Sequence, residues 1–136
     1  RRALLDMTGG LGVDFSFMAP LFAQSCYVER QPELCRLAPT TSVCWAWRAA
    51  ALCRLTDRHL PLNVPKAFSL IFADPARRNA AGHKVAALAD CEPDVARLLP
   101  LLMTRTRYLM LKLSPMLDVS RAISELPGTR QVHILQ

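Results

Sequence analysis

The chain has 136 residues and a mass of 15.1 kDa, the size of one domain around one core, which excludes a multidomain enzyme within it. Hydrophobic residues make up 51 % and charged ones 21 %, and no apolar run approaches the ~20 residues that cross a bilayer, so disorder and a membrane span are both excluded. Seventeen basic against 11 acidic residues give +6, and Arg supplies 14 of the 17; guanidinium groups fork onto phosphate and stack on bases, so the charge is consistent with a polyanionic partner and equally with an Arg-rich genome.

Five cysteines, an odd number, and the lack of a secretory leader pattern predict a reduced, cytoplasmic setting. No Met precedes Arg1, and apolar stretches stand at both ends of the chain. This is the pattern expected of a domain cut from a longer protein.

In chain order, residues 3–7 are the first of several short apolar stretches that end in polar residues, Gly or Pro, as buried parallel strands do. Asp14 then stands where a helix cap is expected, and Phe15, Met18, Ala19 and Phe22 repeat at i, i+3, i+4 and i+7 to make one buried helix face. Pro20 inside that pattern predicts a kink or an early stop. Residues 25–29 form the second candidate strand.

The stretch 39–60 is ambiguous: 42–47 reads as a strand and 45–55, rich in Ala, as a helix. Cys26, Cys35, Cys44 and Cys53 recur every nine residues, but nine positions turn a helix by about half a revolution and nothing else repeats with them, so no repeat is assigned.

Residues 68–73 form the third strand. Pro93 starts a second helix that Pro100 limits, with Val95, Leu98, Leu99 and Leu102 on its face. Residues 107–113 are the fourth strand. Ser114 and Pro115 start a third helix, faced by Val119, Ala122, Ile123 and Leu126 and stopped by Pro127 and Gly128. Residues 132–135 are the last strand. Strand followed by helix, repeated, predicts an open parallel α/β sheet.

Three of the five glycines, Gly9, Gly10 and Gly12, lie directly after the first strand and before the first helix. Glycine there lets the backbone turn sharply and lets a ligand approach the main chain, at the carboxyl ends of parallel strands where open sheets bind ligands. A tight turn without a ligand is the alternative. The dinucleotide pattern Gly-x-Gly-x-x-Gly fails, because Phe15 stands third when counting from Gly10 and Gly12. Asp6 and Asp14 flank the loop, which disfavours a pyrophosphate but suits a cationic ligand carrying hydroxyl and ammonium groups. S-adenosyl-L-methionine is such a ligand.

The run Leu5-Asp6-Met7-Thr8-Gly9-Gly10-Leu11-Gly12 resembles the first motif of class I S-adenosylmethionine-dependent methyltransferases, an acidic residue followed by a Gly-rich turn. The resemblance implies that Asp6, Thr8, Gly9, Gly10 and Gly12 bind the cofactor, with Thr8 standing where many members have Gly. Glu29 closes the second strand, 17 residues past Gly12, where the family places an acid that holds both ribose hydroxyls; a carboxylate there can accept two hydrogen bonds from a diol. Asp57 falls roughly where the family has a residue contacting the adenine amino group, a surface Asp being the alternative.

Asp74-Pro75-Ala76-Arg77-Arg78 follows the third strand, where amino-methylating members carry Asn or Asp, then Pro-Pro and an aromatic residue. This implies that Asp74 and the main-chain carbonyl at Pro75 accept hydrogen bonds from the target amine and aim its lone pair for in-line transfer. Ala76 and Arg77 replace the second Pro and the aromatic residue, so a stacking platform for a flipped base is not supplied here.

Together with Lys112-Leu113-Ser114-Pro115-Met116, the pattern resembles a bacterial group of RNA methyltransferases similar in turn to RNA cap guanine-N2 methyltransferases. The resemblance runs from Ala3 to Gln136 with a poor stretch at 39–60. It implies a Rossmann-like α/β fold, an open, mostly parallel sheet with helices on both faces. Members have seven strands, so the last strand is expected to be missing.

Arg77, Arg78, His83 and Lys84 lie on a long connection that can grip RNA phosphate or carry solvated charge. Lys112, inside an apolar strand, meets substrate or snorkels at the strand end, the second being favoured. Trp45 and Trp47 can stack on bases, though packing is the commoner use. His59, His83 and His133 have no metal-ligand spacing with each other or with any Cys, so no metal is expected. Cys91 has no evident base beside it.

The expected activity is methyl transfer from S-adenosyl-L-methionine to a nitrogen of RNA. The alternative is a non-catalytic methyltransferase-like module that binds the cofactor, RNA or protein.

Overall fold

A computed structural model describes residues 2–29, 31, 33–34, 37, 68–77 and 88–135, with Arg77 described in its backbone alone. Two compact units divide the chain: Arg1–Asp74 with Leu101–Lys112, and Pro75–Pro100 with Leu113–Gln136. In chain order the elements are β1 (Ala3–Asp6), α1 (Val13–Met18), a 3-10 turn (Ala19–Leu21), β2 (Gln24–Tyr27), β3 (Phe68–Ala73), β4 (Ala76–Arg77), a second 3-10 turn (Leu88–Asp90), β5 (Cys91–Glu92), α2 (Val95–Met103), β6 (Thr106–Leu111) and α3 (Val119–Glu125). Among the described residues no helix is long and apolar enough to cross a membrane.

The first unit holds a four-stranded sheet in the order β2-β1-β3-β6. All three pairings are parallel, with Leu5 opposite Cys26 and Ile71, and Ile71 opposite Leu109. This is the open parallel sheet expected from the alternating pattern, and the Rossmann-like arrangement that the resemblance implies. Its central strands are buried on both faces, Leu4 and Phe72 on one, Leu5 and Ile71 on the other, which is why they read as continuous apolar runs rather than alternating ones.

On one face α1 packs Phe15 and Ala19 against Leu4, Tyr27 and Phe72, with Met18, Phe22 and Leu70 at the margin. The helix stops at Met18 and tightens into a 3-10 turn carrying Pro20. The early stop follows from Pro20, which has no N–H to continue the ladder.

Several expected boundaries are corrected. Asp14 is not the cap of α1: Gly12 occupies that position with no side-chain cap, and Asp14 lies in the first turn. The second helix starts at Val95 rather than Pro93, with Asp94 Oδ1 accepting the Arg97 N–H (3.0 Å). Pro100 does not limit it, since α2 continues through Pro100 to Met103. Losing one backbone bond there is offset by burying Leu102 completely.

Ser114 and Pro115 do not start the third helix. They form a turn closed by the Leu117 N–H on the Ser114 carbonyl (3.1 Å), and α3 starts at Val119, where Asp118 accepts the Arg121 N–H (2.9 Å). It ends, as expected, before Pro127 and Gly128, the latter at φ 89°.

Residues 132–135 are not a strand. They carry no regular structure, and Val132, Ile134 and Leu135 are exposed. A short apolar segment gains nothing from extending unless a neighbouring strand accepts its hydrogen bonds, and among the described residues none does.

In the second unit, β4 and β5 form a small antiparallel pair, Ala76 opposite Glu92. Leu88, Cys91, Leu117 and Ala122 form its core.

Candidate functional site

β1 lies between β2 and β3, so the chain leaves β1 to one side and returns to the other. At such a switch point the loops after neighbouring strands diverge and open a crevice at their carboxyl ends. The glycine loop and Asp74 follow the two strands that border it. The residues described next, down to Lys112, all belong to the first unit.

The chain after β1 stays tied to both neighbours. The Met7 N–H donates to the Phe72 carbonyl (3.0 Å), the Val28 N–H to the Asp6 carbonyl (2.9 Å), and the Gly9 N–H to the Val28 carbonyl (2.9 Å). The turn then closes through the Gly12 N–H on the Gly9 carbonyl (2.7 Å). Gly10 and Gly12 have φ of 54° and 79°, in the left-handed region where a side chain is strained. Gly9 is required for a different reason: a Cβ there would overlap the Tyr27 ring.

Tyr27 is buried, meets Phe15 edge-to-face with centroids 5.4 Å apart, and donates its hydroxyl hydrogen to the Gly10 carbonyl. Two residues on, Glu29 is 8 % exposed. Its Oε2 accepts the Gly10 N–H (2.7 Å) and its Oε1 the Gln31 N–H (2.7 Å). Tyr27 and Glu29, separated by the period of a strand, therefore hold Gly10 by its carbonyl and its N–H. A carboxylate is the residue type that can accept two hydrogen bonds from a vicinal diol.

Asp6 is 1 % exposed and accepts the Thr8 N–H at Oδ1 (2.9 Å). Burial pushes its carboxyl up to about 6; the Thr8 N–H opposes this, and the negative charges of Asp14 and Asp74 add to it. The Thr8 hydroxyl oxygen accepts the Asp74 N–H (2.6 Å), a bond that glycine at this place could not make. Thr8 thus ties the loop after β1 to the residue after β3.

Lys112 follows β6, and its N–H continues the ladder to the Ala73 carbonyl (3.0 Å). Its ammonium lies 2.9 Å from Asp14 Oδ2 and 3.1 Å from Asp74 Oδ2. Those two carboxylates, Asp14 first, raise its pKa above the ordinary lysine value. The group is exposed at the strand end as expected of a snorkelling lysine, but it is held by two carboxylates.

Asp6, Thr8, Gly9, Gly10, Gly12, Glu29 and Asp74 are therefore gathered at one edge of the sheet. Pro75 is buried and begins the second unit, and Arg77 is on β4 of that unit. Asp57, Arg78, His83, Lys84, Trp45 and Trp47, and the ambiguous stretch 39–60, lie outside the described residues.

Tyr27 was not singled out by sequence reasoning; its signal is an aromatic residue two places before Glu29, hence on the same face of a strand. The pairing of Lys112 had no sequence signal beyond a charge in an apolar strand. Asp14 and Asp74 hold Lys112, and with Asp6 and Glu29 they give the edge an excess of carboxylates, groups that accept hydrogen bonds from hydroxyl and N–H donors.

No protein-family model and no curated protein matches the chain. Among solved structures, it is similar to a protein from Porphyromonas gingivalis W83 described as a "putative methyltransferase". The identity is 33 % and the TM-score 0.70, over 88 % of this chain and 29 % of that one. It is also similar to an rRNA methylase from Streptococcus thermophilus, at 13 % identity and a TM-score of 0.64, over 96 % of this chain and 73 % of that one. The chain thus spans 29 % of the length of the first. The fold is that of methyltransferases.

Proposed function

We propose that the chain is a single S-adenosyl-L-methionine-dependent methyltransferase domain that methylates a nitrogen of an RNA base in the cytoplasm. One observation carries the reading: a glycine loop held by Glu29 and a half-exposed Asp74 stand side by side at the switch point of a parallel sheet.

The donor set fits the cofactor. Glu29 brings a carboxylate, a group able to accept from ribose hydroxyls, just past β2; a Cβ at Gly10 would come no closer than 3.9 Å to the Thr8 carbonyl oxygen; and Asp6, Asp14 and Asp74 together outweigh the charge of Lys112, which favours a ligand bearing sulfonium and ammonium groups. Bound there, S-adenosyl-L-methionine supplies an electrophilic methyl group. Asp6, Thr8, Gly9, Gly10, Gly12 and Glu29 would hold it, with Asp57 assigned to its adenine by the sequence resemblance. Asp74 and the Pro75 carbonyl accept hydrogen bonds from the acceptor amine and direct its lone pair, so that the rate comes from orientation rather than from a covalent enzyme intermediate.

RNA as acceptor is supported by the charge of +6 and by the similarity to a protein called an rRNA methylase. Arg77 and Arg78 are assigned to its phosphates. The sequence resemblance to RNA cap guanine-N2 methyltransferases makes an exocyclic amine the first acceptor to try.

Calorimetric titration tests the reading. S-adenosyl-L-methionine is expected to bind and NAD not to bind, and Glu29→Ala is expected to remove the binding. Asp74→Ala is expected to abolish transfer of a labelled methyl group to RNA while sparing cofactor binding. Cofactor binding with no transfer to RNA would favour a non-catalytic module, and binding of NAD instead would overturn the assignment of the glycine loop.

A further inference from the structure

We infer that Lys112 is a positioning residue for the proposed reaction: by gripping Asp14 and Asp74 together, it couples the cofactor loop to the group that orients the acceptor. The inference rests on the function proposed above, and its basis is geometric.

Both partners of the Lys112–Asp74 pair are fixed through their backbones. The Lys112 N–H is bonded to the Ala73 carbonyl and the Asp74 N–H to the Thr8 hydroxyl, so the two side chains leave adjacent strands at matched heights. The third partner, Asp14, lies in the first turn of α1, two residues past Gly12, the left-handed glycine that starts the helix. The ammonium thus stands where the end of β3, the end of β6 and the helix that continues the glycine loop come together.

The contacts at Asp74 divide its two oxygens. Oδ2 is held by Lys112 at 3.1 Å, and Oδ1 has no partner among the described residues. A carboxylate pinned through one oxygen presents the other in one orientation, which is what an acceptor amine needs in order to be aimed. Without the lysine, Asp74 and Asp14 repel each other and the Asp74 side chain regains its rotamers.

The pair has little to do with holding the fold together. The Lys112 side chain is 55 % exposed, and ion pairs this open to solvent contribute little to stability. Its raised pKa keeps it cationic across the working range. A lysine that scarcely stabilises the fold but fixes one oxygen of Asp74 acts on orientation.

The test uses the chain with tritiated S-adenosyl-L-methionine and an unmodified ribosomal RNA transcript. Lys112→Met and Lys112→Arg are each made in the wild-type and in the Asp74→Asn background. Lys112→Met is expected to lower kcat about 10- to 100-fold, the scale of a misaimed reactant. The cofactor Kd and the KM for RNA should stay within about threefold, and Lys112→Arg should recover most of the rate, since a guanidinium can also bridge two carboxylates. In the Asp74→Asn background, Lys112→Met should cost little more, because a residue acting through Asp74 has nothing left to position.

Asp14→Asn removes one anchor and leaves Lys112 whole. It supplies an independent arm should Lys112→Met fail to fold, with an expected loss in kcat of about 3- to 10-fold.

A kcat of wild-type size in Lys112→Met, or an equal loss in both backgrounds, overturns the inference while leaving the proposed function standing. A wild-type chain that neither binds the cofactor nor transfers a methyl group overturns the proposed function, and the role of Lys112 with it.

Discussion

Asp6 is the most demanding group in the first unit, and replacing it with Asn gives a pH-dependent result of definite sign. The carboxyl is buried under the glycine loop and its pKa is raised from 3.8 to about 6, chiefly because burial penalises the charged form. Between those two values the folded chain keeps a proton that the unfolded chain has lost. Stability is therefore fully present below 3.8 and is lost as pH rises through about 6.

The difference between 3.8 and about 6 corresponds to about 3 kcal/mol. Asp6→Asn cannot ionise, yet its side-chain oxygen can still accept the Thr8 N–H. Relative to the wild type, it should gain about 3 kcal/mol between about pH 4 and about pH 7 and nothing further above that.

Urea unfolding of both chains at several pH values across this range measures the difference directly. Adding Asp14→Asn should narrow the window, because the Asp14 charge is one of the causes that raise Asp6. Two stability curves that stay parallel from about pH 4 to about pH 7, or a wild type that gains on the variant as pH rises, would refute the assignment of a buried, proton-retaining Asp6.

Gly9→Ala places a methyl group into the Tyr27 ring and should lower stability by about 1–3 kcal/mol in urea unfolding, with much of the loss recovered when Tyr27 is shortened to Leu. Tyr27→Phe removes the hydroxyl that donates to the Gly10 carbonyl and should cost about 1 kcal/mol in the same assay. Glu29→Gln turns an amide N–H₂ toward one of two backbone N–H groups that the carboxylate now accepts; it should cost about 1–2 kcal/mol and weaken cofactor binding by calorimetry. In the second unit, Arg121→Ala should leave the urea midpoint unchanged, since its bond to Glu125 is solvent-exposed. Glu125→Ala should lower that midpoint, because Glu125 also accepts the N–H of buried Leu88 (3.1 Å).

The parts of the fold legible in the sequence are those whose cause lies within a few residues. β3 is buried on both faces and is bounded as the apolar run predicts, at Phe68–Ala73. Pro20 ends α1 because it lacks an N–H, and the glycines after β1 adopt the left-handed turns that their lack of a Cβ allows. Asp6, the glycine loop, Glu29 and Asp74 were legible for a related reason: in a parallel sheet each follows a strand, and strand ends in such a sheet lie along one edge.

Other features depend on what the rest of the molecule places nearby. Residues 132–135 have the composition of a strand but no strand beside them among the described residues. Pro100 looks like a helix stop, yet α2 runs past it to bury Leu102. Asp14 has the residue type of a cap, but Gly12 takes that position and Asp14 turns to Lys112. Gly9 is excluded from carrying a side chain by a Tyr ring from the next strand, and Lys112 meets an aspartate 98 positions away in the chain. By itself the sequence determined the four strands of the parallel sheet, the glycine turn and the acids that follow those strands, because each is written in neighbouring residues. Tertiary structure alone decided which of those acids share a lysine, which one keeps its proton and which apolar segment finds a partner, because burial and charge pairing depend on groups brought together from distant parts of the chain.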